Sequence, residues 1–214
     1  MKIGILGGTF NPIHNAHLKI ATEVRDRLGL DRIIFIPAAM PPHKELDGDI
    51  DFVDRRNMVA LAIAGESDFT ISDIEERRGG RSYSVDTLRE LQTLYPADEL
   101  YFIIGSDSFL EIATWYRAAE IFTLSNLAVV ERPHAPLTDL LAVLPVAMRS
   151  DFCYYSAEMR LTHRSGFSVY YLPGTPLAIS SSEIRRLVRT GQSIRHLVPD
   201  AVARYISEKR IYLT

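Results

Sequence analysis

A chain of 214 residues with 47% apolar side chains can bury one substantial core. Its formal net charge of −3, with no basic tail or stripe, excludes an electrostatic case for nucleic acid as a partner. The single cysteine, Cys153, excludes an internal disulfide and a thiolate zinc cluster, and no apolar stretch approaches the ~18 residues of a membrane span.

Met1-Lys2 leads straight into a strand pattern at Lys2–Leu6, with no signal-peptide pattern, so a cytoplasmic protein is expected. A helix follows over His14–Leu28, with Ile20, Ala21, Val24 and Leu28 on one stripe and Gly29 placed to close its end. The second strand, Arg32–Ile36, is apolar on both faces, as suits a strand covered on both sides. Pro37–Gly48, rich in proline and charge, reads as a long loop that can close over a ligand. A helix over Phe52–Ala64 follows a capping Asp51, and Thr70–Asp73 reads as a strand. Ser84–Leu94 is a helix opening on a capping hydroxyl, with Leu88, Leu91 and Leu94 or Tyr95 repeating along it. Strands are expected at Leu100–Ile104, Leu127–Val130 and Ser168–Leu172. Between the last two, Arg132–Gly166 reads as a loop or insert with one helix, Leu137–Leu144, and an irregular remainder. Ser180–Val188 opens with the Ser-x-x-Glu of a capping box, and Pro199–Ser207 with proline in its first turn. The alternation predicts an α/β fold: a parallel sheet flanked by helices, with a C-terminal helical portion, in one domain spanning residues 1–214.

Residues 7 to 17, Gly-Gly-Thr-Phe-Asn-Pro-Ile-His-Asn-Ala-His, join the first strand to the first helix. His14 and His17, three apart, share a helix face. The first turn also carries free N–H groups and the positive end of the macrodipole. Two imidazoles there suit a phosphate that gains charge during a reaction. Gly7-Gly8 is not Gly-x-Gly-x-x-Gly, and the second strand ends Ile36-Pro37 without an acid, which disfavours a dinucleotide dehydrogenase. Zinc would need further ligands, and His43, His134, His163 and His196 stand at no matching spacing, so no protein metal site is expected. Arg77-Arg78 and Arg185-Arg186 belong to no wider basic patch, and Tyr154-Tyr155 and Tyr170-Tyr171 read as packing residues.

With Gly-Gly-Thr-Phe before it, the histidine pair resembles the nucleotidyltransferase superfamily with a His-x-Gly-His-type signature. Ala16 stands where that signature usually has glycine, and Asn11 where it often has aspartate. Further matches are Pro37-Ala-Ala-Met-Pro-Pro-His-Lys44, Arg81-Ser-Tyr-Ser-Val-Asp-Thr87-Leu88, Gly105-Ser-Asp107, Trp115-Tyr116 and Ile179-Ser-Ser-Ser-Glu-Ile-Arg185. Together, over about residues 1 to 188, they resemble the bacterial nicotinate-mononucleotide adenylyltransferases.

The resemblance implies a Rossmann-like doubly wound sheet of order 3-2-1-4-5, with the ligand crevice beyond the C-terminal ends of the first and fourth strands. It implies transfer of an adenylyl group from ATP to nicotinate mononucleotide by in-line attack, without a covalent enzyme intermediate. His14 and His17 are the expected catalytic residues. Gly8, Thr9, Phe10, Gly105 and Ser106 would line ATP with them, and Ser180, Ser181, Ser182 and Arg185 would take the leaving pyrophosphate. Lys44 would lie near the mononucleotide phosphate, Asp107 on a ribose hydroxyl, and Trp115 under the nicotinate ring. Thr87 and the Tyr116 backbone would supply N–H groups to the nicotinate carboxylate. Mg2+ would ride on ATP, held by phosphate and water rather than a carboxylate cage. ATP and nicotinate mononucleotide are the expected partners, and a homo-oligomer is compatible with the sequence. The alternatives are a phosphopantetheine or nicotinamide-mononucleotide adenylyltransferase and, from another class, an inactive nucleotide sensor.

Overall fold

In the computed structural model, which describes residues 1–41, 50–174 and 178–213, strands and helices alternate along the chain. The strands are β1 (Lys2–Gly8), β2 (Arg32–Pro37), β3 (Phe69–Ile71), β4 (Glu99–Gly105), β5 (Asn126–Val130), β6 (Phe152–Tyr155), β7 (Arg160–His163) and β8 (Ser168–Leu172). The α-helices are α1 (Asn15–Leu28), α2 (Phe52–Ile63), α3 (Ile74–Arg78), α4 (Ser84–Leu94), α5 (Ser106–Leu110), α6 (Ala118–Ile121), α7 (Leu140–Val143), α8 (Val146–Arg149), α9 (Ser181–Arg189) and α10 (Asp200–Glu208). They group into two compact units, one of Met1–Leu6, Val24–Asp31 and Tyr83–Pro176, the other of Gly7–Glu23, Arg32–Ser82 and Leu177–Thr214.

In the first unit β1 pairs with β4, β4 with β5 and β5 with β8, all parallel, so the expected 1-4-5 run is present. All five residues of β5 are buried, as a strand covered on both faces requires. Val85, Leu88 and Leu91 make the buried stripe of α4. The register pairs Ile3 with Leu100 and Ile5 with Phe102, and each of these side chains is at most 7% exposed. Burial on that scale stabilises by roughly 1.5–3 kcal/mol per side chain.

Beyond β8 the sheet changes direction. β7 is antiparallel to β8, and β6 to β7. This corrects the reading of Arg132–Gly166 as one helix with an irregular remainder. The expected helix Leu137–Leu144 shortens to α7, because Asp139 Oδ1 accepts the N–H groups of Leu141 and Ala142 and starts the helix there. The β6–β7 hairpin turns through a 3₁₀ segment, Ser156–Glu158, and a left-handed Met159 (φ 46°). No Asn-Gly or Asp-Gly marks that turn, so the usual hairpin signal is missing.

In the second unit β2 and β3 pair in parallel, Ile33 with Phe69 and Phe35 with Ile71. β3 covers Phe69–Ile71 rather than Thr70–Asp73, because Ser72 and Asp73 turn into α3. Helix α2 starts where expected: Asp51 accepts the Asp54 N–H at 2.7 Å. Its Asn57 and Asp54 meet the Tyr205 hydroxyl of α10, at 3.1 and 2.7 Å. Met58, Val59, Val202 and Ile206 are buried. Among the described residues no helix is long and apolar enough to cross a membrane.

Candidate active site

The Gly7–His17 segment leaves β1 and immediately makes a turn that ordinary backbone resists. Phe10 is left-handed (φ 48°) and nearly fully buried, its ring 6.0 Å from Phe35 and edge-on to His17 at 5.1 Å. Gly8 permits this, because a Cβ there would sit 3.1 Å from the Phe10 ring. The Gly8 carbonyl accepts the Ala38 N–H at 2.8 Å, tying this turn to the segment after β2.

His14 is buried and His17 half-buried, and their rings stack at 3.7 Å with 20° between planes. The His14 N–H donates to His17 Nδ1 at 3.2 Å. With Nδ1 accepting, the neutral His17 ring carries its proton on Nε2, which is then the donor it offers. Two first-turn amides are already engaged: Asn15 N–H with the Leu197 carbonyl and His17 N–H with that of His14, both at 2.9 Å. The helix tip therefore offers an anion its imidazoles more than the free amides the sequence suggested. Ala16 is 2% exposed, so its methyl packs inward.

Helix α9 is capped by Ser180, whose Oγ accepts the Glu183 N–H at 3.2 Å, but the Glu183 carboxylate pairs with Arg186 instead of closing the expected capping box. The other two serines face different partners. Ser181 Oγ donates to the Pro12 carbonyl at 2.9 Å, and Ser182 Oγ accepts from Arg185 at 3.3 Å. Arg185, 7% exposed, also donates to the Asn11 carbonyl at 2.9 Å. The Ser-Ser-Ser-Glu-Ile-Arg motif thus holds the Asn11-Pro12 stretch of the histidine turn as well as presenting a helix start.

Arg55 went unnoticed in the sequence. It is fully buried and donates to the carbonyls of Thr9 and Ala38, both at 2.7 Å. Burial pulls its guanidinium below its ordinary range, opposed by Tyr212, Asp51 and Glu75. A trans peptide points its C=O and N–H in opposite directions, so drawing the Thr9 carbonyl onto Arg55 turns the Phe10 N–H the other way. An arginine inside an amphipathic helix pattern looks like surface charge, and only its burial marks it.

In the first unit, Gly105 ends β4 and a Cβ there would fall on the Asp107 carboxylate and 2.9 Å from Arg132 Nε. Ser106 is fully buried and its Oγ accepts the Arg132 N–H at 2.8 Å. Asp107 is exposed, its Oδ1 3.9 Å from Arg132 Nε. Arg132 was also missed, although a cation two residues after the end of β5 is a usable signal. Thr87 is buried, and its N–H closes the first turn of α4 on the Tyr83 carbonyl at 3.2 Å. That amide is engaged in the helix. Ser84 is the first helical residue and Tyr83 the cap, without a side-chain cap bond, which corrects the expected capping hydroxyl. Trp115 is half-buried, edge-on to Phe102 at 6.3 Å. Tyr116 is exposed and lies against Tyr83 at 4.6 Å. Tyr83, which the Arg81–Leu88 motif contains without an expected role, forms this ring pair. Lys44 and most of the Pro37–Gly48 loop lie outside the described residues. Among the described residues no three His, Cys, Asp or Glu side chains gather as a metal-holding group.

The cytidylyltransferase-like family model matches residues 5–187. A protein of Geotalea uraniireducens named probable nicotinate-nucleotide adenylyltransferase is 62% identical over 212 residues, 99% of this chain and 98% of its own. One of the same name from Geobacter sulfurreducens is 61% identical with the same coverage. The fold matches the Plasmodium falciparum nicotinic acid mononucleotide adenylyltransferase complexed with NaAD, with a TM-score of 0.76, 22% identity, and 99% of this chain and 97% of that one covered. The chain therefore belongs to the cytidylyltransferase-like family and, within it, to the nicotinate-nucleotide adenylyltransferases.

Proposed function

We propose that this chain transfers the adenylyl group of ATP to nicotinate mononucleotide, giving nicotinate adenine dinucleotide and pyrophosphate, a step in NAD biosynthesis. The stacked His14–His17 pair, in a chain so close to its named relatives over nearly its whole length, is the observation that carries this reading. An oxygen of the mononucleotide phosphate attacks the α-phosphorus of ATP in line. The bond from that phosphorus to the bridging oxygen breaks, and the electron pair leaves with pyrophosphate. The attacking phosphate is already an anion, so the protein needs no nucleophile of its own, and its work is orientation and charge stabilisation.

His17 donates from Nε2 to the α-phosphate as its charge grows, and His14, stacked on it, holds adjacent phosphate oxygens. Gly8, Thr9 and Phe10 line the nucleotide. The Ser180–Ser182 helix start takes the leaving pyrophosphate, with the Arg185 charge beneath it. Gly105 and Ser106 shape the nucleotide contact after β4, and Asp107 takes a ribose hydroxyl. Trp115 gives the nicotinate ring a stacking face. The carboxylate falls to the Tyr116 backbone and the Thr87 end of α4, and the mononucleotide phosphate to Lys44. The polar groups at the histidine turn are imidazoles, hydroxyls and guanidinium rather than carboxylates, which fits Mg2+ carried by the phosphates of ATP. Residues 1–214 act as one nucleotidyltransferase domain in the cytoplasm.

The test offers purified protein Mg-ATP with nicotinate mononucleotide, nicotinamide mononucleotide or 4′-phosphopantetheine, and follows pyrophosphate release. Nicotinate mononucleotide is expected to turn over fastest, and His17→Ala to lose about 10²–10³ in kcat. Faster turnover of either other acceptor overturns the substrate. No turnover of any, with ATP still bound, makes the chain a sensor.

A further inference from the structure

The histidine turn is held from beneath by a residue that belongs to none of the motifs. Tyr212, 6% exposed, donates its hydroxyl to Asn11 Oδ1 at 2.6 Å, and Asn11 is 5% exposed. Burial pushes the Tyr212 phenol above its ordinary range, so it stays a donor. The Asn11 carbonyl meanwhile accepts from Arg185 at 2.9 Å. Asn11 is thus gripped at its side chain by one element and at its backbone by another, three residues before His14. Tyr212 reaches it because α10 ends in a reversal: Arg210 is left-handed (φ 55°) and the Ile211 N–H returns to the Ile206 carbonyl at 3.0 Å. Tyr212 itself is left-handed (φ 67°), a backbone disfavoured for any residue with a side chain. The family model ends at residue 187, so it does not include this contact.

We propose that Tyr212 is a positioning residue for adenylyl transfer, its hydroxyl setting Asn11 and through it the turn that carries His14 and His17. An amide oxygen serves here where the related signature often has a carboxylate, and both accept a phenol hydrogen bond. A turn set loosely by one bond less still binds nucleotide, but its imidazoles meet the α-phosphorus in the wrong place, which costs rate before affinity. The inference rests on the reading of His14 and His17 as the transfer site.

Steady-state kinetics with Mg-ATP and nicotinate mononucleotide on the full chain test it, with thermal unfolding recorded beside them. Tyr212→Phe keeps the ring and removes one oxygen. It is expected to lower kcat about 10-fold or more, with the KM for nicotinate mononucleotide nearly unchanged. Asn11→Ala should lose a similar factor, and the double variant no more than the worse single one, because both remove the same bond. Asn11→Asp, which keeps an acceptor, should retain most of the rate. Wild-type kcat in Tyr212→Phe, or losses that multiply in the double variant, would overturn the proposal. Tyr212→Phe carries the test alone should Asn11→Ala not fold. His17→Ala in the same assay separates the two readings. If it loses turnover while Tyr212→Phe does not, only the positioning role falls; if it turns over normally, the transfer site itself is wrong.

Discussion

His17 has a defined hydrogen-bond polarity because a backbone amide three residues earlier uses its Nδ1. That relation was half legible: the three-residue spacing put both rings on one face, but not which nitrogen faced outward. Gly8 carries a comparable constraint. A methyl there would press on the Phe10 ring, and that ring lies edge-on to His17. Gly8→Ala is therefore expected to lower kcat and cost about 1–3 kcal/mol in denaturant unfolding, as overpacking does. Phe10→Leu in the same chain should restore part of both, since it removes the obstructing edge. A Gly8→Ala protein with wild-type rate and stability would show that the turn adjusts freely.

At the scale of elements, local chemistry predicted the starts of α2 and α9 well, because a cap is a contact between residues three apart. Asp51→Ala should cost about 1 kcal/mol, seen as a lower unfolding midpoint with an unchanged denaturant slope. An unchanged midpoint would mean that packing of Met58, Val59 and Ile63 alone determines the start of α2. The β6–β7 hairpin was not legible for the converse reason. Its strands have four residues each and its turn uses Met159, so neither period nor turn chemistry marks it. Its stability comes from pairing with β8, a relation absent from any short window.

For the whole molecule, buried phenols couple stability to alkaline pH. Burial pushes the pKa of the Tyr101, Tyr171, Tyr205 and Tyr212 phenols above the ordinary range, making each a weaker acid. Stability is then intact below pH ~10 and falls as pH rises through that value, because the unfolded chain releases protons the folded one keeps. The urea midpoint should drop above pH ~10, and the drop should be shallower in Tyr212→Phe. The tyrosinate absorbance of these four phenols should lag in the native protein and appear together with unfolding. Equal pH slopes in wild type and Tyr212→Phe would contradict a buried, protonated phenol at that position.

The alternation of apolar runs and helical stripes determined the α/β class, and the histidine turn, the serine helix and the tyrosine-threonine motif identified the family. Each is a pattern of near neighbours whose side-chain chemistry is independent of the rest of the chain. What Arg55, Arg132, Arg185 and Tyr212 touch was decided only by tertiary structure. These contacts join residues tens to hundreds of positions apart, and a polar side chain becomes a brace only when packing removes water and leaves one backbone or side-chain group within its reach.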